Sequence, residues 1–276
     1  MYNFFIDKTE FSSDTPSVSG ADFNHVKNVL RLKVGDRFLV SCDGKSNLCE
    51  ITAFSSDQVL LSVIEKDFLD TSLPIKISLF QGIPKTDKME LIIQKAVELG
   101  VEEIVPVEMK RCVVKIEDKK KKSKTDRWNA ISESAAKQCK RSVIPSVLDV
   151  NDFSSAINYA KSFTHVIVPY ESHNGMESTI STLKQIKSGD SVAVFIWPEG
   201  GFDDKEISLL KDALALIDQI TLGALSTLHL SAIALSLQQD KAGYTTPVSG
   251  SNISLINASN KPIPLPLVST TKSVHL

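Results

Sequence analysis

The stretch Ser191-Val-Ala-Val-Phe-Ile-Trp-Pro-Glu-Gly-Gly-Phe202 joins a nearly all-apolar run to a pair of glycines. An apolar run without alternation is typical of a strand that is covered on both faces. Asp203 or Asp204 can cap a following helix, because a carboxylate accepts the free N–H groups of the first turn. The stretch therefore predicts a buried strand, a loop and a helix.

The loop after this strand, Pro198-Glu-Gly-Gly201, is a candidate ligand loop. In an open α/β sheet, ligands bind beyond the carboxyl ends of the strands. Paired glycines let backbone N–H groups approach a ligand without a Cβ in the way. The spacing matches neither G-x-G-x-x-G nor a P-loop, which argues against dinucleotides and nucleoside triphosphates. An ordinary turn between strand and helix is the alternative interpretation.

Strands and helices alternate on both sides of this stretch. Apolar patterns predict strands at residues 75–80, 104–107, 165–169 and 219–222, and helices at residues 88–99, 125–139, 176–186 and 203–216. Thr86 or Asp87 is expected to cap the first helix, and Gly100 to end it. Repeated β-α-β order predicts an α/β fold with a mostly parallel sheet.

Three strand ends are expected to face one pocket. Pro169 and Glu171 follow one strand. Leu222 and Gly223 end another, which we expect to lie beside the ligand loop. Glu171 and Glu199 could accept hydrogen bonds from a ligand amine or hydroxyl, or could merely cap helices. The histidines are scattered and no G-x-S-x-G elbow occurs, which argues against hydrolases and metalloenzymes.

Residues 1–72 are predicted to form a small separate domain. Runs of β-forming residues at 38–42, 48–52 and 59–64 are separated by turns, one of them at Asp43-Gly44. A short helix is predicted at residues 21–30, and the close spacing of the strands indicates a small β-barrel. Residues 67–74 are predicted to be the linker to the second domain, residues 75–240.

The C-terminal part differs in composition from the rest. Residues 223–276 contain only four charged residues, but 14 Ser or Thr and four of the chain's 11 prolines. Residues 225–239 are predicted to form an apolar helix. From residue 241 to residue 276 no periodicity is found, which predicts a disordered tail.

The overall composition is that of an ordinary globular protein. Of the 276 residues, 42% are hydrophobic and 23% are charged. No run approaches the ~18 apolar residues that a transmembrane helix needs, and the start lacks the features of a signal peptide. The four cysteines are widely spaced, as in a protein with reduced thiols. We therefore expect a cytoplasmic protein without a membrane or metal partner.

Positive charge is concentrated in one segment, although the net charge is −2. Between Lys110 and Arg141 there are 12 basic and 4 acidic residues, which gives +8. The remaining 19 basic and 29 acidic residues give −10. A local field of this size favours a polyanionic partner. For the lysine run at residues 119–124 alone, a solvated loop is the preferred interpretation.

Seven stretches follow one another in a recognisable order. They are His25-Val-Lys-Asn-Val-Leu-Arg-Leu-Lys-Val-Gly-Asp36, Lys85-Thr-Asp-Lys-Met-Glu90, Gln94-Lys-Ala-Val-Glu-Leu-Gly100, Ile104-Val-Pro106 with Arg111, Arg127-Trp128 with Ala135-Ala-Lys-Gln138 and Arg141, Pro198-Glu-Gly-Gly-Phe202 with Glu206, and Leu222-Gly223. Over residues 1–223 the chain resembles the bacterial 16S rRNA uridine-N3 methyltransferases (RsmE-like), a family of the SPOUT superfamily.

The resemblance implies a PUA-like, RNA-binding β-barrel followed by a trefoil-knotted parallel sheet. It implies S-adenosylmethionine as cofactor, a homodimer, and a uridine of 16S rRNA in the small ribosomal subunit as substrate. The implied cofactor-binding residues are Pro169, Glu171, Pro198, Glu199, Gly200, Gly201, Leu222 and Gly223. The candidate RNA-binding residues are His25, Arg31, Lys85, Lys88, Arg111, Lys137, Lys140 and Arg141. No residue stands out as a general base.

The chain departs from the resembled family at two places. Trp197 stands where the family usually has glycine. After Gly223 the family continues with a segment of the form R-I-L-R-x-E-T-A, and this chain continues with Ala224-Leu-Ser-Thr-Leu-His-Leu-Ser-Ala232. A catalytically impaired, RNA-binding remnant of the family is therefore the alternative to an active enzyme.

Overall fold

In the computed structural model of the chain, residues 1–11, 15–85, 88–169, 183–214 and 220–223 are described. Two sheets, joined at residues 70–75, organise them. The N-terminal elements are β1 (Asn3–Phe5), α1 (Lys8–Phe11), β2 (Ser17–Ser19), α2 (Gly20–Asn24), a π-helical turn (His25–Val29), β3 (Arg37–Cys42), β4 (Lys45–Phe54) and β5 (Gln58–Leu69).

The first sheet has the strand order β1-β3-β4-β5-β2 and curls around its own core. The β3–β4 hairpin turns at Asp43 and Gly44, whose φ angles of 51° and 78° are both positive. Two positive φ angles make the tight hairpin turn that matches the twist of the strands. The predicted strands and short helix of this domain are confirmed.

The predicted linker begins too early. Strand β5 continues to Leu69, which pairs with Ser46 at the start of β4. The long β4 offers hydrogen-bond partners to residues 67–69, so these residues extend the sheet and only residues 70–75 connect the domains.

The second sheet is wholly parallel, as predicted, with the order β12-β10-β11-β6-β7-β8 and β9 also paired with β7. Its strands are β6 (Lys76–Gly82), β7 (Glu103–Glu108), β8 (Ser146–Val147), β9 (Asn151–Asp152), β10 (His165–Pro169), β11 (Ser191–Ile196) and β12 (Ile220–Gly223). Its helices are α3 (Lys88–Leu99), α4 (Asp118–Cys139), α5 (Phe153–Ala160) and α6 (Asp204–Leu214).

Strand β11 shows why the sheet is covered on both faces. Val192 and Val194 belong to the core beneath α3 and α4, whereas Ala193 and Phe195 belong to the core beneath α5 and α6. Side chains alternate between the faces of a strand, so a strand with two buried faces must be apolar throughout. The prediction from the apolar run is confirmed.

Helix α4 is longer than predicted, because it begins at Asp118 rather than at Thr125. The lysine run, interpreted above as a loop, therefore forms its first turns. Lysine is a good helix former, and Lys121 pairs with Asp118 one turn earlier. The helix propensity of lysine and this ion pair therefore extend α4 toward its N-terminus.

The end of α4 joins the two domains. Asn3 and Ser41 donate hydrogen bonds to the backbone carbonyl of Arg141, over 2.9 and 3.3 Å. The Thr71 hydroxyl accepts the N–H of Ser142 over 3.2 Å. The Lys137 ammonium lies 3.0 Å from an Asp22 carboxylate oxygen. Both domains therefore contact the same helix terminus.

Several expectations lie outside the described residues. They are the cap at Thr86 or Asp87, the position of Glu171, the helix at residues 176–186 except for residues 183–185, which are helical, the helix at residues 225–239, the tail at residues 241–276, and the segment that would pass through the implied knot. Within the part that is described, no helix combines the length and the apolar character that a bilayer crossing needs.

Candidate functional site

The carboxyl edge of the parallel sheet brings the predicted strand ends together. Pro169 at the end of β10 pairs in register with Gly223 at the end of β12. Strand β10 also pairs with β11, which leads into the ligand loop. Strand β10 lies between β12 and β11, so Gly223 and the ligand loop follow strands that are not direct neighbours. The three ends nevertheless belong to adjacent strands.

Two glycines let the ligand loop, residues 198–201, sit close against its neighbours. A Cβ on Gly82, at the end of β6, would lie 2.5 Å from Cδ of Pro198. A Cβ on Gly200 would lie 3.0 Å from both the Cβ and the carbonyl oxygen of Arg111. The distance at Gly82 is too short for a side chain and those at Gly200 are tighter than most real Cβ contacts, so packing favours glycine at both positions.

Arg111 also holds the loop directly. Its Nη1 donates a hydrogen bond to the carbonyl oxygen of Gly200 over 3.2 Å. Gly201 follows with a φ of +73°, a conformation that favours glycine, and a Cβ there would meet only the Arg111 guanidinium, at 3.8 Å. Within the described ranges, the outer side of Gly201 is therefore free for backbone contacts with a ligand.

Ion pairs hold two acids in place, one within the ligand loop and one just after it. The Lys88 ammonium lies 2.8 Å from Oε1 of Glu199, and the Lys110 ammonium lies 2.8 Å from Oδ2 of Asp203. The hydrogen bond from Lys88 lowers the pKa of Glu199, and that from Lys110 lowers the pKa of Asp203. Both carboxylates are therefore ionised acceptors, so neither acts as a general acid near neutral pH.

Helix α6 begins with a reciprocal cap. Oδ1 of Asp203 accepts the N–H of Lys205, and Oε2 of Glu206 accepts the N–H of Asp203. This is the capping-box arrangement, with Asp in place of Ser or Thr. The expected cap at Asp203 is confirmed.

Glu206 has a second role that sequence reasoning missed. Its Oε1 accepts the backbone N–H of Lys110 over 2.7 Å, which ties the start of α6 to the turn after β7. The side chain is buried. The D-x-x-E spacing could have indicated the cap, but the partner lies 96 positions away along the chain.

The structure divides the candidate RNA-binding residues into three groups. Lys85, Lys88 and Arg111 follow strands at the carboxyl edge. His25 and Arg31 are exposed in the N-terminal domain. The third group, which comprises Lys137, Lys140 and Arg141, lies at the end of α4, against the N-terminal domain.

Arg141 is inside the protein. It is 8% exposed, and its guanidinium donates to the carbonyl oxygens of Val97 and Val101 over 3.3 and 3.4 Å. Lys137 is held between Asp22 and Glu133. These contacts account for both side chains within the fold, because a cation that is buried or paired on two sides is not presented to an external phosphate. We do not retain either residue as an RNA contact.

Trp197, at the position of the first departure, packs on Phe202 with ring centroids 4.3 Å apart. Both rings border the core beneath α5 and α6. The indole thus belongs to the packing behind the ligand loop.

Taken together, the described residues of this edge offer loop backbone and carboxylates that are already paired. Such a site suits the binding and alignment of a ligand better than proton transfer by a side chain. Among the described residues no group of three His, Cys, Asp or Glu is placed to hold a metal ion.

Comparisons with known proteins agree with this architecture. The model of an RNA methyltransferase domain matches residues 71–225, and that of an RNA methyltransferase PUA domain matches residues 18–64. The chain is 36% identical to ribosomal RNA small subunit methyltransferase E of Bacillus subtilis over 219 residues, which is 77% of this chain and 86% of that protein.

Solved structures give the same result. A ribosomal RNA small subunit methyltransferase E from Neisseria gonorrhoeae, bound to S-adenosyl methionine, superposes with a TM-score of 0.67 at 26% identity, covering 87% of this chain and 97% of that one. A methyltransferase from Legionella pneumophila with bound SAM has the same TM-score and coverage at 27% identity. The chain therefore belongs to the ribosomal RNA small subunit methyltransferase E family, with a PUA domain ahead of a SPOUT-type methyltransferase domain.

Proposed function

We propose that this protein transfers a methyl group from S-adenosylmethionine to N3 of a uridine in 16S rRNA. The observation that carries the proposal is the RNA methyltransferase match over residues 71–225, which spans the whole carboxyl edge. The related proteins from Bacillus subtilis and Neisseria gonorrhoeae are named for the small-subunit RNA, and the latter binds S-adenosyl methionine. We further propose that the substrate is the small ribosomal subunit, that the protein acts as a homodimer, and that it works in the cytoplasm.

The ligand loop fits this cofactor. Gly200 and Gly201 present backbone rather than side chain, and among the residues that the structure describes a Cβ on Gly201 would meet only the Arg111 guanidinium. Backbone N–H and C=O groups are suitable partners for the adenine and ribose of a bent nucleoside. We propose that Pro198, Glu199, Gly200 and Gly201 bind it together with Pro169, Glu171, Leu222 and Gly223.

The chemistry requires alignment more than acid–base catalysis. S-adenosylmethionine, when bound, supplies a methyl group that the sulfonium makes electrophilic. The residues of this chain hold the loop in place: Arg111 binds Gly200, Lys88 binds Glu199, and Glu206 binds the turn after β7. A rigid loop keeps the two reacting atoms in line, which is the main source of acceleration for such a displacement.

The uridine must present an N3 without its proton, in an orientation that reaches the loop. A negative base is stabilised by nearby cations. Lys85 and Arg111 lie at this edge, and we propose them, with Lys88, Lys140, His25 and Arg31, as the residues nearest the RNA. The base must leave its stack to reach the methyl group.

The division of the chain is part of the proposal. Residues 1–72 would hold RNA, residues 75–240 would bind the cofactor, and residues 241–276 would be a tail outside the folded body. Limited proteolysis followed by mass spectrometry tests this division: the expected resistant product ends near Lys241. Protection of residues 253–267 would contradict it.

A methyl-transfer assay tests the function. Small ribosomal subunits and deproteinised 16S rRNA, both taken from cells without this methylation, are incubated with methyl-labelled S-adenosylmethionine. We expect label in the subunits only, recovered as N3-methyluridine after nuclease digestion. RNA binding without cofactor binding or label would instead support the non-catalytic alternative, which the changed sequence after Gly223 motivates.

A further inference from the structure

The carboxyl edge of the parallel sheet carries a group of cations. Cations follow the strands at the carboxyl edge, namely Lys85 and Lys88 after β6, and Lys110, Arg111 and Lys115 after β7. Acids lie at this edge too, but Glu199 is paired with Lys88 and Asp203 with Lys110, which leaves Lys85, Arg111 and Lys115 without a carboxylate within 4.0 Å among the described residues. A polyanion that reaches the ligand loop would therefore approach over the basic edge.

The first half of helix α4 belongs to this basic edge. Lys121 lies 3.1 Å from Oε2 of Glu108, the last residue of β7. The helix therefore starts where the carboxyl ends of the strands lie, and then runs back along the sheet toward the N-terminal domain. Its first lysine-rich turn therefore lies at the end of β7, on the same edge of the sheet as the ligand loop.

Three cations of α4 share one side of the helix. Lys120, Lys124 and Arg127 are spaced i, i+4 and i+7, which places them in one row about 10 Å long. Thr125, which is buried, lies on a different side of the helix. Together with Lys115, which precedes the helix and is exposed, we call these residues the lysine face (Lys115, Lys120, Lys124, Arg127).

The acids near the lysine face form only exposed ion pairs with its cations. Lys120 shares Glu117 with Lys119, and Arg127 pairs with Glu90, with all three cations exposed. Exposed pairs of this kind contribute about 0–1 kcal/mol, so a phosphate can replace the carboxylate. Lys115 and Lys124 have no carboxylate within 4.0 Å among the described residues.

We propose that the lysine face binds the phosphodiester backbone of the substrate RNA beside the ligand loop. The proposal rests on the proposed function for the class of substrate. It replaces Lys137 and Arg141, whose side chains the fold already uses, with the lysine face as the site of RNA contact. The part of this face within residues 119–124 was interpreted from the sequence as a solvated loop. The contacts are with phosphates, so they position the RNA and do not select its sequence.

Two triple variants with the same change of charge test this surface. The test variant is Lys115→Gln, Lys120→Gln and Lys124→Gln. The control variant is Lys76→Gln, Lys161→Gln and Lys187→Gln, which removes three exposed lysines from the amino edge of the same domain. Glutamine is a good helix former, so α4 is retained. Affinity for small ribosomal subunits and for 16S rRNA is measured by filter binding over a range of salt concentrations.

We expect the test variant to bind RNA about tenfold or more weakly at about 0.1 M salt, with the slope of log K against log salt reduced by about two. The control variant should match the wild type. Equal losses in both variants, or no loss in the test variant, would overturn the proposal. So would wild-type binding to anionic lipid vesicles with none to RNA.

Cofactor binding separates this proposal from the proposed function. Calorimetry with S-adenosylmethionine should give the same affinity for the wild type and for both variants, because neither alters the ligand loop. Failure of the wild type to bind the cofactor or transfer methyl groups would reject the proposed function, and the RNA titrations would still decide whether the lysine face is an RNA surface.

Discussion

At the residue scale, Gly200 contributes to the site because it has no side chain. The pattern of two glycines predicted backbone contact with a ligand. The structure adds a packing reason: the loop touches Arg111, where a Cβ on Gly200 would lie 3.0 Å from the Arg111 carbonyl oxygen. That oxygen belongs to the backbone and cannot rotate away. The packing against Arg111 therefore favours glycine at this position, whatever ligand binds there.

Gly200→Val should displace the ligand loop. We expect the free energy of unfolding to fall by about 1–3 kcal/mol, the usual cost of overpacking, and affinity for S-adenosylmethionine to be lost. Chemical denaturation measures the first effect and calorimetry the second. Arg111→Ala is the variant to compare with it, because this change removes the hydrogen bond to Gly200 but leaves the carbonyl oxygen of residue 111 in place. A Gly200→Val protein with wild-type stability and cofactor affinity would contradict the packing described here.

At the element scale, the first turn of α6 is stabilised by the carboxylate of Asp203. Asp203 caps the helix and pairs with Lys110, so its pKa lies below its ordinary value of 3.8, mainly because of the hydrogen bond from Lys110. A carboxyl whose pKa is lowered on folding adds stability above its unfolded pKa. That contribution is lost as the pH falls through the folded pKa.

Stability should therefore decline as the pH falls below about 4, and Asp203→Asn should make this decline shallower. Lys110→Gln, which removes the partner, should have a similar effect, and so should added salt, because the pair is exposed. Urea denaturation at a series of pH values measures the slopes. Identical slopes in the wild type and in both variants would show that this pair does not contribute to the acid sensitivity of the protein.

At the scale of the whole molecule, the Arg141 region joins the two domains. Its backbone carbonyl accepts hydrogen bonds from the N-terminal sheet, and its guanidinium binds the carbonyl oxygens of Val97 and Val101 at the end of α3. One residue thus links β1, β3, α3 and α4. The basic segment that indicated a polyanion partner contains both an external row of lysines and this internal arginine.

Arg141→Lys should therefore destabilise the protein rather than weaken RNA binding selectively. An ammonium cannot reproduce the two guanidinium contacts, and we expect a loss of roughly 3 kcal/mol in the free energy of unfolding. Thermal unfolding measures this loss. RNA titration at a temperature where the variant is folded should show the wild-type salt slope. A reduced slope with unchanged stability would place Arg141 at the RNA instead.

The sequence by itself determined the class of the fold and much of its element order. The apolar run at residues 191–196, the helical spacing of Met89, Ile93 and Val97, and the turn at Asp43-Gly44 are local signals, and local hydrogen bonding and burial respond to them directly. Ordered motifs also indicated the family. The extent of β5 and α4 was underestimated, because a partner strand and ion pairs between successive turns extend an element beyond its apolar pattern.

Only the tertiary structure decided which charged residues face outward and which strand end lies next to which. Arg111 and Gly200 are 89 positions apart, and Lys110 and Glu206 are 96 apart, yet each pair is in contact. Such contacts depend on the order of strands in the sheet, which places β10 between β11 and β12 and brings the turn after β7 near the start of α6. The physical reason is that the sequence shows only which charged residues occur and in what order. Whether a side chain is buried or paired depends on the residues that the fold brings next to it from distant parts of the chain.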